Sequence, residues 1–204
     1  MLAYCISLKN NVEAQRLAQI EFDKLNLEVN FELVDKHLNG EHGCFLSHQQ
    51  VLRKCLSSNY DYYFIFEDDV YFESYDLTEI YELMKSLTGN FCITLGYFTS
   101  QSARKYNNFV TFTNCQCTHA YIVPRSTAEK LVKLEYLEPY DFAWNKVIDK
   151  FYAPNPMIAF QRDHKSSVSD GVLRKVINFF SFRTCSKFIE WYVTTGWIKI
   201  FSFL

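Results

Sequence analysis

The segment that most limits what this chain can become is Tyr62–Val70, which reads YYFIFEDDV. Tyr62–Phe66 is a continuous apolar run, too short for a buried helix and bounded by charge. It reads as a strand covered on both faces, as at the centre of a sheet with helices on each side. The run passes without a spacer into Glu67, Asp68 and Asp69. Three adjacent carboxylates at the end of a buried strand repel one another; bound protons, a cationic partner or a metal relieve the repulsion. A divalent cation with oxygen ligands does so and leaves positions open for phosphate oxygens. The other reading is a solvated acidic turn, or a cap for the helix that follows. In open α/β sheets, ligands sit beyond the carboxyl ends of the strands, where these residues fall.

Strand and helix patterns alternate along the rest of the chain. Ala3–Leu8 is a short apolar strand, and Asn10 or Asn11 caps a helix that runs to about Leu27. Val29–Val34 alternates as a second strand. GEHGCFLSHQQVLRKCL (residues 40–56) has helical spacing, with His48 on the apolar face. Asp76–Leu87 reads as a helix, Phe91–Leu95, Phe109–Phe112 and Ala120–Val123 as strands, and Ser126–Leu134 as a helix after Pro124. Tyr140–Lys150 reads as helical. The pattern predicts an α/β domain over residues 1–171, with a mostly parallel central sheet flanked by helices. A helical C-terminal extension over 172–204 follows.

Composition excludes several function classes. The six glycines (Gly40, Gly43, Gly89, Gly96, Gly171 and Gly196) form neither a dinucleotide-binding fingerprint nor a P-loop. A nucleotide would therefore not be held by a glycine-rich backbone cradle. The net charge of −2 provides no basic field for nucleic acid. That average hides a net +4 over residues 172–204, which leaves −6 on the remainder. The basic extension carries Phe179, Phe180, Phe182, Phe188, Trp191, Trp197, Phe201 and Phe203. It suits either packing on the domain or peripheral contact with an anionic membrane. The seven cysteines are odd in number and show no C-x-x-C, which points to a reducing, cytoplasmic setting. MLAYCISLKN has neither the apolar length nor the basic flank of a signal peptide.

Five stretches, in this order, resemble glycosyltransferase family 25, which includes bacterial lipooligosaccharide galactosyltransferases and collagen galactosyltransferases. They are Tyr4–Leu8 followed by Arg16, Gly40–His48, Phe66–Val70, Thr118–Leu131, and Glu138–Asp141 with Pro154–Gln161 and Ser166–Asp170. Together they span about residues 3–170. The resemblance implies a GT-A-like fold, a UDP-sugar donor, an oligosaccharide or glycolipid acceptor, and a divalent metal, usually manganese. It also implies inversion at the anomeric carbon. The transferred sugar would be a hexose, galactose first, in lipooligosaccharide or another surface glycan.

Roles follow from the same resemblance. Asp69 is the first metal ligand, with Asp68 beside it; Asp68 or Glu67 holds the donor ribose or a metal-bound water. His164 and Asp170 are candidates for a further ligand. Asn10, Arg16, Glu41, His48, His119, Tyr121 and Gln161 are assigned to donor binding. Glu41 would contact donor or acceptor, and His48 would bond a nearby carboxylate. An inverting transfer needs a carboxylate to take the acceptor's proton; Asp141 is the candidate base, and Glu138 the second choice. Two other classes compete: a metal-dependent phosphoester hydrolase using the same carboxylates, and a carbohydrate-binding module without turnover.

Overall fold

The alternation in the sequence becomes alternation in space. The protein is represented by a computed structural model, which describes residues 1–162. His164, Asp170 and the 172–204 extension lie outside the described residues. The elements are β1 (Leu2–Leu8), α1 (Val12–Lys24), β2 (Asn30–Val34), α2 (Gly40–Leu56), β3 (Tyr62–Glu67), β4 (Val70–Phe72), α3 (Thr78–Ser86) and β5 (Phe91–Thr94). They continue with β6 (Arg104–Tyr106), β7 (Phe109–Phe112), β8 (Ala120–Pro124), α4 (Arg125–Leu131), α5 (Tyr140–Ala143), β9 (Lys150–Pro154) and β10 (Ala159–Gln161).

Eight strands form one sheet in the order β2-β1-β3-β8-β5-β9-β7-β6. β1 pairs in parallel with both β2 and β3, and β5 with β9. β8 runs antiparallel between β3 and β5, and β7 runs antiparallel between β9 and β6. Six of the eight strands thus point one way, as a mostly parallel sheet requires. The two reversed strands nonetheless make the ladders mixed. Reversing β8 matters for the site, because it sets the amino end of β8 beside the carboxyl end of β3.

β3 is buried on both faces, as its composition demands. Tyr63 and Ile65 face a core shared with Phe45, Leu52 and Cys55 of α2, Leu131 of α4 and Trp144. Phe64 and Phe66 face the opposite core, with Ala18 and Phe22 of α1 and Ile80 and Leu83 of α3. This is the period-2 division of a central strand between two layers.

The 140–150 helix is shorter than its spacing predicted. α5 covers only Tyr140–Ala143, and a 3-10 turn follows at Trp144–Lys146. Lys150 instead opens β9, whose Phe151 and Ala153 are buried as it pairs with β5 and β7. Sheet pairing outweighs local helical spacing here.

A second, two-stranded sheet pairs β4 with β10, so that Gln161 lies opposite Val70. Asp68 and Asp69 occupy the turn between β3 and β4. Glu21 of α1 accepts hydrogen bonds from the Phe72 amide (3.1 Å) and the Tyr75 hydroxyl (3.0 Å), tying α1 to this ribbon. Gly96 lies where β10 crosses the end of β5: a side chain there would collide with the Ala159 carbonyl and come within 2.6 Å of His119 Nε2.

Candidate active site

Segments far apart in sequence converge beyond the carboxyl ends of β1 and β3. β1 and β3 are adjacent and parallel, so Ser7 and Asn11 arrive beside the acidic turn. Asp68 Oδ2 accepts from Ser7 Oγ at 2.6 Å and from Asn11 Nδ2 at 3.1 Å. Asp69 Oδ2 accepts from Gln161 Nε2 at 3.1 Å, and the Asp69 carbonyl accepts from the Arg162 amide at 2.7 Å. Glu67 Oε1 accepts from Thr118 Oγ1 at 2.7 Å, just before β8.

α2 delivers the next layer. Asn39 caps it by accepting the His42 amide at 3.0 Å. Four residues into the helix, Cys44 and then His48 turn toward Glu67. His48 is 1% exposed, and its Nε2 lies 3.5 Å from Glu67 Oε1. Its Nδ1 meets the Tyr121 hydroxyl at 2.9 Å, and its ring stacks on Tyr140 at 4.3 Å.

The charges around this turn are in conflict. Burial, then the Glu67 and Asp68 carboxylates, push the Asp69 carboxyl well above its ordinary range, and the Gln161 bond only partly opposes them. Burial also raises Glu67, but the bond and charge of His48, together with Thr118, bring it below the usual value. Burial, then Glu67, raise Asp141; a backbone amide and His48 oppose them, and Glu41 adds to the rise. Burial lowers His119, against the pull of Glu67.

Buried Asp69 Oδ1 and His119 Nδ1 have no hydrogen-bond partner among the described residues, and His48 Nε2 reaches Glu67 Oε1 only at 3.5 Å. Such orphaned polar atoms are costly and call for a physical explanation. Asp68 and Asp69 therefore fit a hard divalent cation: their donors are oxygens, one of them unpartnered, and their mutual repulsion is what a cation relieves.

Not every predicted residue joins this cluster. Asp141 lies within electrostatic reach of Glu67, Glu41 and His48. Glu138 is instead paired with Lys146. Arg16 lies on the exposed side of α1, bonded to Glu13 at 2.8 Å. Asn10 is exposed in the turn after β1, and its neighbour Asn11 makes the contact to Asp68. Tyr121 is fully buried behind His48, a support for that ring.

Sequence reasoning missed Ser7, Asn11 and Cys44. The rule that ligands gather beyond strand ends would have found the first two, since Ser7 and Asn11 flank the end of β1. It also missed a cavity of about 230 Å³ next to the ends of β1 and β2, lined by Lys9, Asp35, His37, Ser47 and Gln50 among others.

A family model described as glycosyltransferase family 25 (LPS biosynthesis protein) matches residues 35–148, more than half of the chain. The chain belongs to glycosyltransferase family 25. The family 25 match takes in α2, the acidic turn, β8 and α5, while Ser7, Asn11 and Gln161 lie outside it. Comparison with curated proteins finds no match. Among solved structures, A197 from STIV is similar at 15% identity with a TM-score of 0.52, covering 80% of this chain and 87% of that one. This is a likeness of fold. A glycosyltransferase involved in the glycosylation of the major capsid of PBCV-1 aligns at 14% identity and a TM-score of 0.47, over 76% of this chain and 82% of that one. Among the described residues, no helix is long and apolar enough to cross a membrane.

Proposed function

We propose that this family 25 glycosyltransferase is inverting and metal-dependent, on a GT-A-like fold. It would move a hexose, galactose first, from a UDP-sugar to a saccharide acceptor in surface glycan synthesis. The observation that carries this reading is Asp69 Oδ1, a buried carboxylate oxygen without a partner, set among Glu67 and Asp68 beyond the ends of β1 and β3.

Asp69 and Asp68 are the residues that would hold the cation, with Ser7 and Asn11 fixing the Asp68 carboxylate and Gln161 fixing Asp69. Bound there, a manganese-like ion supplies charge stabilisation to a leaving diphosphate. The cavity beside Lys9 and Asp35, next along the strand ends, is the place for the donor's nucleoside end. Asp141 is the proposed base. Its raised proton affinity suits it to take the acceptor hydroxyl's proton as that oxygen attacks the anomeric carbon and the bond to the diphosphate breaks. Glu138, already paired with Lys146, is the weaker choice.

The test is a screen of sugar nucleotides for manganese-dependent release of UDP, repeated with Asp69→Asn. One UDP-hexose is expected to be turned over, with a loss of roughly 10²–10³-fold or more in the variant. Near-normal transfer by Asp69→Asn would overturn the assignment. Phosphate release from simple esters without sugar transfer would overturn it in favour of a hydrolase.

A further inference from the structure

Cys44 and His48 are four residues apart on α2, so they share one face of the helix. That face meets the carboxyl end of β3. One ligand atom each from Cys44, His48 and Glu67 lies within 4.8 Å of the other two. We infer that Cys44, His48 and Glu67 form a second cation site, for a thiophilic divalent ion of the zinc class, distinct from the Asp68–Asp69 pair.

Three observations support it. The donors are one sulfur, one imidazole nitrogen and one carboxylate oxygen, a set that suits zinc and not manganese or magnesium. His48 is 1% exposed, and its Nε2 is aimed at Glu67 Oε1 across 3.5 Å, too long for a well-formed hydrogen bond. The other nitrogen of the same ring is held by the Tyr121 hydroxyl at 2.9 Å, and the ring plane by Tyr140 at an angle of 4°. A metal-binding histidine is oriented in this way, through a hydrogen bond on its second nitrogen. A tetrahedral zinc with bonds of about 2.0–2.3 Å spaces its ligands roughly 3.5 Å apart, so closure asks for only a small movement of half-buried Cys44.

Coordination breaks the Cys44 S–H bond, and the proton leaves to solvent as the metal–sulfur bond forms. Three protein ligands leave a fourth position open. Glu67 also joins this site to its neighbour: a cation on Glu67 offsets one of the charges that bear on Asp69 and Asp141.

The experiment uses metal ions alone and does not depend on turnover. Cobalt(II), as a spectroscopic substitute for zinc, is titrated into the full chain, and zinc then competes it away. One equivalent with a sulfur-to-cobalt absorption band is expected. Cys44→Ser removes the band and weakens zinc binding by more than the roughly 10–100-fold that a lost orienting partner costs. Tyr121→Phe weakens it by about 10-fold. Asp69→Asn keeps the band even where sugar transfer is lost, which separates this site from the proposed catalytic cation.

If Cys44→Ser does not fold, zinc protection of Cys44 from an alkylating reagent decides in the wild-type chain, read by peptide mass. The other described cysteines are all buried. Absence of the sulfur band, an unchanged band in folded Cys44→Ser, or no protection of Cys44 would overturn the inference.

Discussion

Glu21 and Asp69 are both shielded carboxylates bonded to the β4–β10 ribbon, yet they sit in opposite circumstances. Both oxygens of Glu21 are occupied: Oε2 by the Phe72 amide and Tyr75, Oε1 by Lys24 at 3.1 Å and Arg162 at 3.3 Å. Burial raises its carboxyl, but those hydrogen bonds outweigh burial and bring it below the ordinary range. Asp69 has one donor on Oδ2, none on Oδ1, and two carboxylates beside it. Burial alone therefore does not mark a functional acid. The partners differ instead: both Glu21 oxygens are met within the protein, whereas Asp69 Oδ1 has no partner among the described residues.

The largest effect is expected at Asp141, whose carboxyl, like that of Asp69, is raised by burial and by Glu67. Asp141→Asn should lower kcat by about 10²–10⁴-fold with the fold intact, measured as transfer at saturating donor. In the wild type, the acid limb of kcat/KM should lie above the ordinary aspartate range, because Asp141 must lose a proton to which its surroundings hold it. A limb in the ordinary range would remove Asp141 from the role of base.

Glu21→Ala should destabilise the fold by about 3 kcal/mol in denaturant unfolding, since it strips a buried acceptor from two cations and an amide. The rate of transfer per folded molecule should be unaffected.

Asp69→Asn should do the reverse to stability, raising Tm by about 2–4 °C at neutral pH in metal-free buffer, or about 1 kcal/mol. The two carboxylates also respond oppositely to acid. Glu21, lowered in the fold, contributes stability above the ordinary glutamate range and loses it as pH falls through its folded value. Asp69, raised in the fold, costs stability at neutral pH, and that cost disappears below the ordinary aspartate range. The gain from Asp69→Asn should accordingly vanish in acid; a gain that persists there would need another cause.

The smallest effect is expected from Asn11→Ala, which removes one hydrogen bond that orients Asp68. Its signature is a rise of about 5-fold in the metal concentration needed for half-maximal rate, with kcat nearly unchanged.

Much of the frame was legible in the sequence because it depends on local pattern. Tyr62–Phe66 showed itself as a doubly covered strand, and the GEHGCFLSH stretch as a helix start. The acidic turn followed from position alone. Partners across the sheet were not legible. Nothing in the sequence reveals that β8 runs backwards and so brings Thr118 and His119 to β3. Asn11 illustrates the limit: it was read as one of two candidate helix caps, and it does stand at the start of α1. Its side chain makes no capping bond there and goes to Asp68 instead. The two uses are indistinguishable until β1 and β3 are known to be neighbours. Short pairings such as β4 with β10 escape notice for the same reason, since three residues carry too little pattern to register.

Gly96 gives the site a control remote from its chemistry. The residue has no side chain, and the missing volume is occupied on one side by His119 and on the other by the first residue of β10, the strand that carries Gln161 to Asp69. The separation between the ribbon and the main sheet is thus set by a single hydrogen atom. A methyl group placed there would act as a shim, lifting β10 and changing how firmly Asp69 is held, without altering any residue of the acidic turn.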